Sequence, residues 1–135
     1  MTEKQIASLI DFPRTGDSTI GYISISEFEK IMPFEVKRTF WTYYTPESVV
    51  RGRHAHFKTE QVLVAAAGKI VVTIDQAGQL QTFVLETPNQ GLYVPPSSWH
   101  TMQYSHNAVQ LAFASTQYDE KDYIRDYQEF RRIYG

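Results

Sequence analysis

Two histidines separated by a single residue are the part of this sequence best suited to chemistry. His54 and His56 close the run RGRHAH at residues 51–56, and Glu60 follows shortly after. Residues two apart in an extended strand point to the same side and lie about 7 Å apart. Imidazole has an ordinary pKa of about 6.5, so it can accept or donate a proton at neutral pH. The spacing predicts that both rings address one bound molecule as acid and base, with Glu60 beside them if the strand is unbroken.

A second cluster presents a third histidine at the end of a predicted strand. In the segment Gly91–His100 a β-rich run meets the rigid pair Pro95-Pro96, and His100 closes the segment. Neutral imidazoles together with a carboxylate suit iron, manganese, nickel or zinc. An adequate ligand set is therefore present in His54, His56, Glu60 and His100. The same residues also suit acid–base catalysis without a metal, and residue types alone leave both interpretations open.

Composition excludes several other kinds of chemistry. The 135 residues include no cysteine, which rules out disulfides, thiolate nucleophiles and cysteine-ligated metals. Thirteen basic and fifteen acidic residues give a net charge of −2, which offers no general field for nucleic acid or an anionic membrane. The amino terminus lacks an apolar leader, and the longest apolar run, Val62–Ala67, is far shorter than the about 20 residues that span a bilayer. We expect a soluble, cytoplasmic protein without a nucleic-acid or membrane partner.

The elements that must position the histidines are predicted to be β-strands. Between Ile20 and Ser115, short β-rich runs alternate with Gly, Pro, Asn and Asp, a pattern typical of an all-β sandwich or barrel. A hydrophobic content of 42% supports one compact domain over residues 1–135. The predicted strands are Ile20–Ser24, Val36–Tyr44, Gln61–Ala66, Lys69–Asp75, Gln81–Glu86, Gly91–Val94, Thr101–Tyr104 and Ala108–Ala114.

Turn and helix signals complete the predicted architecture. Gln76-Ala77-Gly78 predicts a hairpin turn, and Gly68 predicts the end of the preceding strand. Near the C terminus Asp119 is a suitable helix cap. Apolar residues then recur at spacings typical of a helix, at Tyr123, Ile124, Tyr127, Phe130 and Tyr134. We expect a short C-terminal helix that covers the barrel and carries no chemistry.

The two histidine clusters resemble the two short motifs of the cupin superfamily. Residues 54–60 match its H-x-H-x3-E core, and residues 91–100 match its Gly…Pro…His core, although Gly52 stands closer to the histidines than is usual. This resemblance implies an antiparallel jelly-roll β-barrel, a single cupin domain. In many cupins the matching histidines and glutamate bind a divalent metal.

Longer strings resemble a narrower group, the WxcM-like nucleotide-sugar 3,4-ketoisomerases. The most specific are RGRHAH at residues 51–56 and YDEKDYIR at residues 118–125. The resemblance implies isomerisation of dTDP-4-keto-6-deoxyglucose to its 3-keto isomer through an enediolate, without a metal or other cofactor, before transamination to a 3-amino sugar. It also implies a homodimer, for which Val36–Tyr44 and Gln5–Phe12 are the candidate contacts.

The resemblance also suggests a role for each candidate residue. His54 and His56 would carry the proton between C3 and C4, in either order, and Tyr43 would donate a hydrogen bond to the enediolate oxygen. Guanidinium groups match phosphate oxygens well, so the diphosphate would contact Arg38, Arg51 and Arg53. The remaining substrate-binding candidates are Gln61 and His100, although strand parity places Gln61 opposite Glu60.

Three other functions remain open on the sequence. A metal-dependent cupin dioxygenase would use the four-residue ligand set, and a 3,5-epimerase would also remove protons beside a 4-ketone. A ligand sensor is a weaker alternative, since no DNA-binding module is visible. The configuration of the product at C4 is undecided, and residues near Ile20 and Gln103 are its plausible determinants.

Overall fold

The β-rich sequence forms twelve strands and one α-helix in a computed structural model that describes residues 5–135. The strands are β1 Ser8–Asp11, β2 Arg14–Asp17, β3 Gly21–Ser24, β4 Arg38–Tyr43, β5 Val50–His56, β6 Gln61–Ala67, β7 Ile70–Gln76, β8 Gln79–Leu85, β9 Gln90–Val94, β10 Trp99–Tyr104, β11 Val109–Ala114 and β12 Tyr123–Ile124. A 3₁₀ turn spans Glu120–Asp122, and helix α1 spans Tyr127–Tyr134.

Ten of these strands form two five-stranded antiparallel sheets. The first has the order β1-β9-β6-β11-β4, the second has the order β12-β5-β10-β7-β8, and β2 and β3 form a separate hairpin. No hydrogen-bonded strand pair joins the two sheets within residues 5–135. The predicted all-β jelly roll is confirmed, as two facing sheets without a closed cylinder.

The core lies between the inner faces of the two sheets. Successive residues of a strand face opposite sides, so every second residue of β6, β7 and β10 enters this inner layer. The buried residues that meet there include Leu63, Ala65, Ile70, Val72, Ile74, Leu85, Leu92, Val94, Met102 and Tyr104. On the outer face of the second sheet, Phe130 of α1 and Ile124 pack against Ala55 and Trp99.

No helix in the described part of the chain has the length and apolarity needed to cross a membrane.

Two local turn predictions are confirmed. Ala77 and Gly78 alone connect β7 to β8, and both have positive φ values of 52° and 83°, as the tightest hairpin loops require. Gly68 follows the last residue of β6 with φ 70°. A side chain there would also collide with the backbone, since an added Cβ would lie 2.6 Å from Ala108 Cα.

The C-terminal helix is shorter than its sequence pattern predicts. Asp119 caps only the 3₁₀ turn, and the following residues pair with β5 as strand β12. Helix α1 begins afterwards, where the Asp126 side chain accepts hydrogen bonds from the backbone N–H groups of Gln128 and Glu129. Hydrogen bonding to the exposed edge of β5 thus replaces the first half of the predicted helix.

Candidate active site

Three histidines meet at one end of the inner layer. His54 and His56 lie on β5, and His100 lies opposite His54 on the neighbouring strand β10. Their ring centroids are 4.6 Å apart for His54 and His100 and 5.1 Å apart for His54 and His56. His100 lies two residues before the core residue Met102 on β10, so both side chains point to the same side, between the sheets. The predicted convergence of the histidines is therefore found in the fold.

Backbone carbonyls set the tautomers of two of these rings. His54 Nδ1 lies 3.0 Å from the carbonyl oxygen of Gly52, and His100 Nδ1 lies 3.3 Å from that of Ser98. A carbonyl oxygen can only accept, so the proton of each neutral ring belongs on Nδ1. The Nε2 atom of each ring keeps its lone pair. His54, which is only partly buried, therefore offers a base that a ligand can reach.

Burial keeps the three rings neutral. Desolvation lowers the pKa of His54, and desolvation together with the nearby His54 lowers the pKa of His56 to about 4. His100 is fully buried, and its pKa lies well below the ordinary value for the same reason. At neutral pH the cluster consists of uncharged imidazoles, which is the state required of a general base.

The C-terminal segment supplies two groups beside the histidines that sequence reasoning missed. The Tyr123 ring centroid lies 4.4 Å from that of His56 and 5.1 Å from that of His54. Asp122 Oδ2 lies 3.3 Å from His56 Nδ1, close enough for a charge interaction, although the geometry is not that of a well-aligned hydrogen bond. The only available signal was the string at residues 118–125, which we interpreted as part of a helix.

Several buried polar atoms in this region have no hydrogen-bond partner within residues 5–135. They are Arg38 Nε, Gln61 Oε1 and both ring nitrogens of His56. Arg38 and Gln61 both lie opposite Ala114 on β11, so they come from neighbouring positions of the facing sheet. Buried polar groups are rarely left unpaired. With a neutral His56 ring, together they offer two donors and two acceptors to a polar ligand.

The three predicted phosphate-binding arginines do not share one position. Arg38 lies at the histidine site, where its Nη1 is 3.5 Å from the Tyr123 hydroxyl. Arg51 is exposed, and its positive charge acts on Tyr104. Burial raises the pKa of Tyr104 to about 12, and the Arg51 charge opposes that rise. Arg53 has φ 57° and lines a depression on the outer face of the second sheet, with Trp99. The local bulge at Gly52 and Arg53 turns the Arg53 side chain away from the histidines. The geometry therefore does not support the predicted contact of Arg53 with the diphosphate.

Tyr43 does not join the histidines within the subunit. It ends β4 at the opposite end from Arg38, and its side chain is 54% exposed on the outward face of the strand. Its ring packs edge-on against that of Tyr44, with centroids 5.1 Å apart. The geometry therefore does not support the predicted contact of Tyr43 with the enediolate oxygen, and Tyr123 is the tyrosine that lies beside the imidazoles.

Glu60 also lies outside the histidine cluster. Strand β5 ends at His56, and the next turn is fixed by hydrogen bonds from the backbone N–H groups of Lys58 and Thr59 to Asp122. The Glu60 carboxylate instead accepts a hydrogen bond of 2.7 Å from the Tyr93 hydroxyl. An unbroken strand from His54 to Glu60, the condition for placing Glu60 beside the histidines, is therefore not met.

The donor atoms present do not reproduce the four-ligand metal set. One ring nitrogen from each of His54, His56 and His100 can be chosen so that all lie within 4.8 Å of one another, which is compatible with a three-histidine site. Glu60, the carboxylate of the cupin pattern, is hydrogen-bonded to the Tyr93 hydroxyl instead. The imidazoles themselves are therefore the chemical groups that this site offers.

Several known proteins that are similar to this chain in sequence and fold are named as sugar isomerases. A curated relative from Aneurinibacillus thermoaerophilus, a TDP-4-oxo-6-deoxy-α-D-glucose-3,4-oxoisomerase, is 40% identical over 125 residues, covering 92% of this chain and 89% of its own. A 3,4-ketoisomerase of Helicobacter canadensis superposes with a TM-score of 0.89 at 34% identity, over 94% of this chain and 96% of its own. A sugar 3,4-ketoisomerase of Thermoanaerobacterium thermosaccharolyticum in complex with TDP gives 0.91 at 30% identity, over 95% and 93%. Since the family model described as WxcM-like, C-terminal also matches residues 5–135, the chain belongs to that family.

Proposed function

We propose that this protein is a sugar-nucleotide 3,4-ketoisomerase that converts dTDP-4-keto-6-deoxyglucose into a dTDP-3-keto-6-deoxyhexose. The observation that carries the proposal is the pair of neutral imidazoles of His54 and His56, side by side at the end of one strand. The 40% identity to an enzyme named for this reaction supports it. The 3-keto product is chemically suited to transamination, which would give a 3-amino sugar.

At carbon, the reaction removes one proton from C3 and delivers one to C4, and a second proton passes from the C3 oxygen to the C4 oxygen. The C4 ketone acidifies the hydrogen on C3, so a neutral imidazole can take that proton while the electron pair forms the C3–C4 enediolate. Protonation of the C4 oxygen and of C4 itself, with loss of the C3 hydroxyl proton, then leaves the ketone at C3 and a hydroxyl group at C4. His54 and His56 are the proposed proton carriers, since their rings are adjacent and a lone pair is available on His54 Nε2. A metal ion is not part of this proposal.

The charged and polar groups around the rings suit the rest of the substrate. Arg38 Nε and Gln61 Oε1 are buried without partners within residues 5–135, and they can bind ligand oxygens and hydroxyls. His100 lines the same site from β10. Arg38 is the proposed first contact of the diphosphate, and Arg51 remains a second candidate from the exposed part of β5.

We also propose a homodimer. Strand β4 is an edge of the first sheet, and two large aromatic residues on its outward face, Trp41 and Tyr43, are 59% and 54% exposed. In the segment Gln5–Phe12, Ile6 and Leu9 are also exposed. Exposed apolar surface and a free strand edge both favour pairing with a second copy.

A cytoplasmic location stays a prediction, to be checked by fractionation.

The proposed reaction can be tested with purified protein and dTDP-4-keto-6-deoxyglucose in deuterated water, with the sugar ring followed by NMR. A ketoisomerase moves the ketone to C3 and introduces deuterium at C4. A 3,5-epimerase introduces deuterium at C3 and C5 and leaves the ketone at C4. A product with the ketone still at C4 would contradict the proposal.

A further inference from the structure

Among residues 5–135, the one carboxylate within 4.0 Å of a proposed catalytic histidine comes from the C-terminal segment. Asp122 ends the 3₁₀ turn, and its Oδ2 atom lies 3.3 Å from Nδ1 of His56. The next residue, Tyr123, pairs with His56 in the β12–β5 register. Strand pairing therefore holds the backbone of Asp122 next to the histidine strand.

The Asp122 side chain is itself held firmly. Oδ1 accepts a hydrogen bond of 2.7 Å from Lys58 N, and Oδ2 accepts one of 3.2 Å from Thr59 N and a further one from the Thr59 hydroxyl. Burial raises the pKa of Asp122, but these hydrogen bonds and the nearby His56 lower it by more. The residue is a fixed, ionised carboxylate that is 8% exposed.

An ionised carboxylate beside Nδ1 selects one form of the His56 ring. It accepts but cannot donate, so it favours a proton on Nδ1 and leaves the lone pair on Nε2. The other charged or titratable groups that act on His56 from β5 and β4 are His54 and Arg38, and both disfavour its protonated form. Asp122 is the group that stabilises an imidazolium formed when His56 takes a proton from the substrate.

We infer that Asp122 is a positioning residue of the ketoisomerase, which fixes the Nδ1–H tautomer of His56 and stabilises its imidazolium. This inference rests on the proposed function of the histidine pair. It gives the C-terminal segment at residues 118–125 an indirect part in catalysis. Since Asp122 contacts no reacting atom in this proposal, its effect passes through the His56 ring.

The first test is the ring tautomer of His56, read from ¹⁵N shifts and long-range ¹H–¹⁵N correlations of the wild-type protein, with the signals assigned from His56→Asn. We expect a protonated Nδ1 and an unprotonated Nε2. In Asp122→Asn the amide NH₂ can donate to Nδ1, so the ring shifts toward the Nε2–H tautomer. Turnover should fall by at least about ten-fold with little change in KM, because the ring that exchanges protons with the substrate would hold the wrong tautomer. Asp122→Glu should recover part of the loss.

The matched control is Asp119→Asn, which removes a carboxylate of the same segment whose side chain accepts from Lys121 N at 3.0 Å. We expect its His56 tautomer and turnover to match the wild type. An Nε2–H tautomer in the wild type would overturn the inference, even if Asp122→Asn failed to fold. A normal tautomer and turnover in folded Asp122→Asn would also overturn it. The tautomer needs no substrate, so a wild type that fails to isomerise the sugar would defeat the proposed function separately.

Discussion

The histidine cluster owes its chemical state to burial. His56 is 2% exposed and His100 is 1% exposed, and neither ring has a cation-stabilising environment strong enough to offset its desolvation. His54 is more accessible and has its proton directed to Gly52. Three histidines in one inner layer thus remain uncharged bases at a pH where free histidine is partly protonated.

Replacing either proposed proton carrier should abolish most of the activity. We expect His54→Asn and His56→Asn each to reduce turnover by about 10²- to 10⁴-fold, since a positioned acid or base contributes that much. Binding of dTDP, measured by calorimetry, should survive because the proposed diphosphate contacts are arginines, Arg38 and Arg51, and not the two histidines. His106→Asn is the control, since His106 is exposed in a turn. Near-normal turnover in a folded His54 or His56 variant would show that its assigned role is wrong.

The lowered pKa of His56 should also appear in the pH dependence of stability. Between pH 6.5 and about 4 the unfolded chain binds a proton at this position that the folded protein does not. The free energy of unfolding should therefore fall as the pH falls through this window, by up to about 1.4 kcal/mol per pH unit from His56. Urea denaturation at pH 7 and pH 5 measures it, and His56→Asn should show a weaker dependence. An equal pH dependence in the variant would contradict the assignment.

At the scale of elements, short-range spacing could be predicted from the sequence and long-range pairing could not. His54 and His56 were predicted to converge because the two-residue period of a strand is fixed by the backbone. Asp122 and Tyr123 were missed because their position depends on β12 pairing with β5, and a two-residue strand has no periodicity to detect. The aromatic spacing predicted the helix but not its start, because edge pairing prevails over local propensity there.

Helix α1 is predicted to depend on a single buried anchor. Phe130 is fully buried and lies with its ring centroid 5.9 Å from that of Trp99. We expect Phe130→Ala to lower the free energy of unfolding by about 3 to 5 kcal/mol through the lost contacts and the cavity it leaves. Ile133→Ala, on the exposed side of the same helix, should change it by no more than about 0.5 kcal/mol. Equal losses in chemical denaturation would contradict this account of the helix.

At the scale of the whole molecule, the outward face of β4 is the predicted dimer contact. Placing a charge there should disfavour an apolar interface, so Trp41→Glu should be largely monomeric where the wild type is a dimer. Leu80→Glu, an exposed site on the other sheet, should remain dimeric. Light scattering at micromolar concentration gives the masses. A monomeric wild type would contradict the dimer, and a dimeric Trp41→Glu would contradict this contact.

The central claim is that imidazoles, and not a metal ion, carry the proton between C3 and C4. A coordinated ring nitrogen has its lone pair committed to the metal, so the same nitrogen cannot also act as the base. The most direct test removes metal exhaustively by chelation, verifies its removal by elemental analysis, and measures isomerisation of dTDP-4-keto-6-deoxyglucose by NMR. We predict unchanged turnover in the metal-free protein. Activity that is lost with the metal and restored by iron, manganese or zinc would contradict the account.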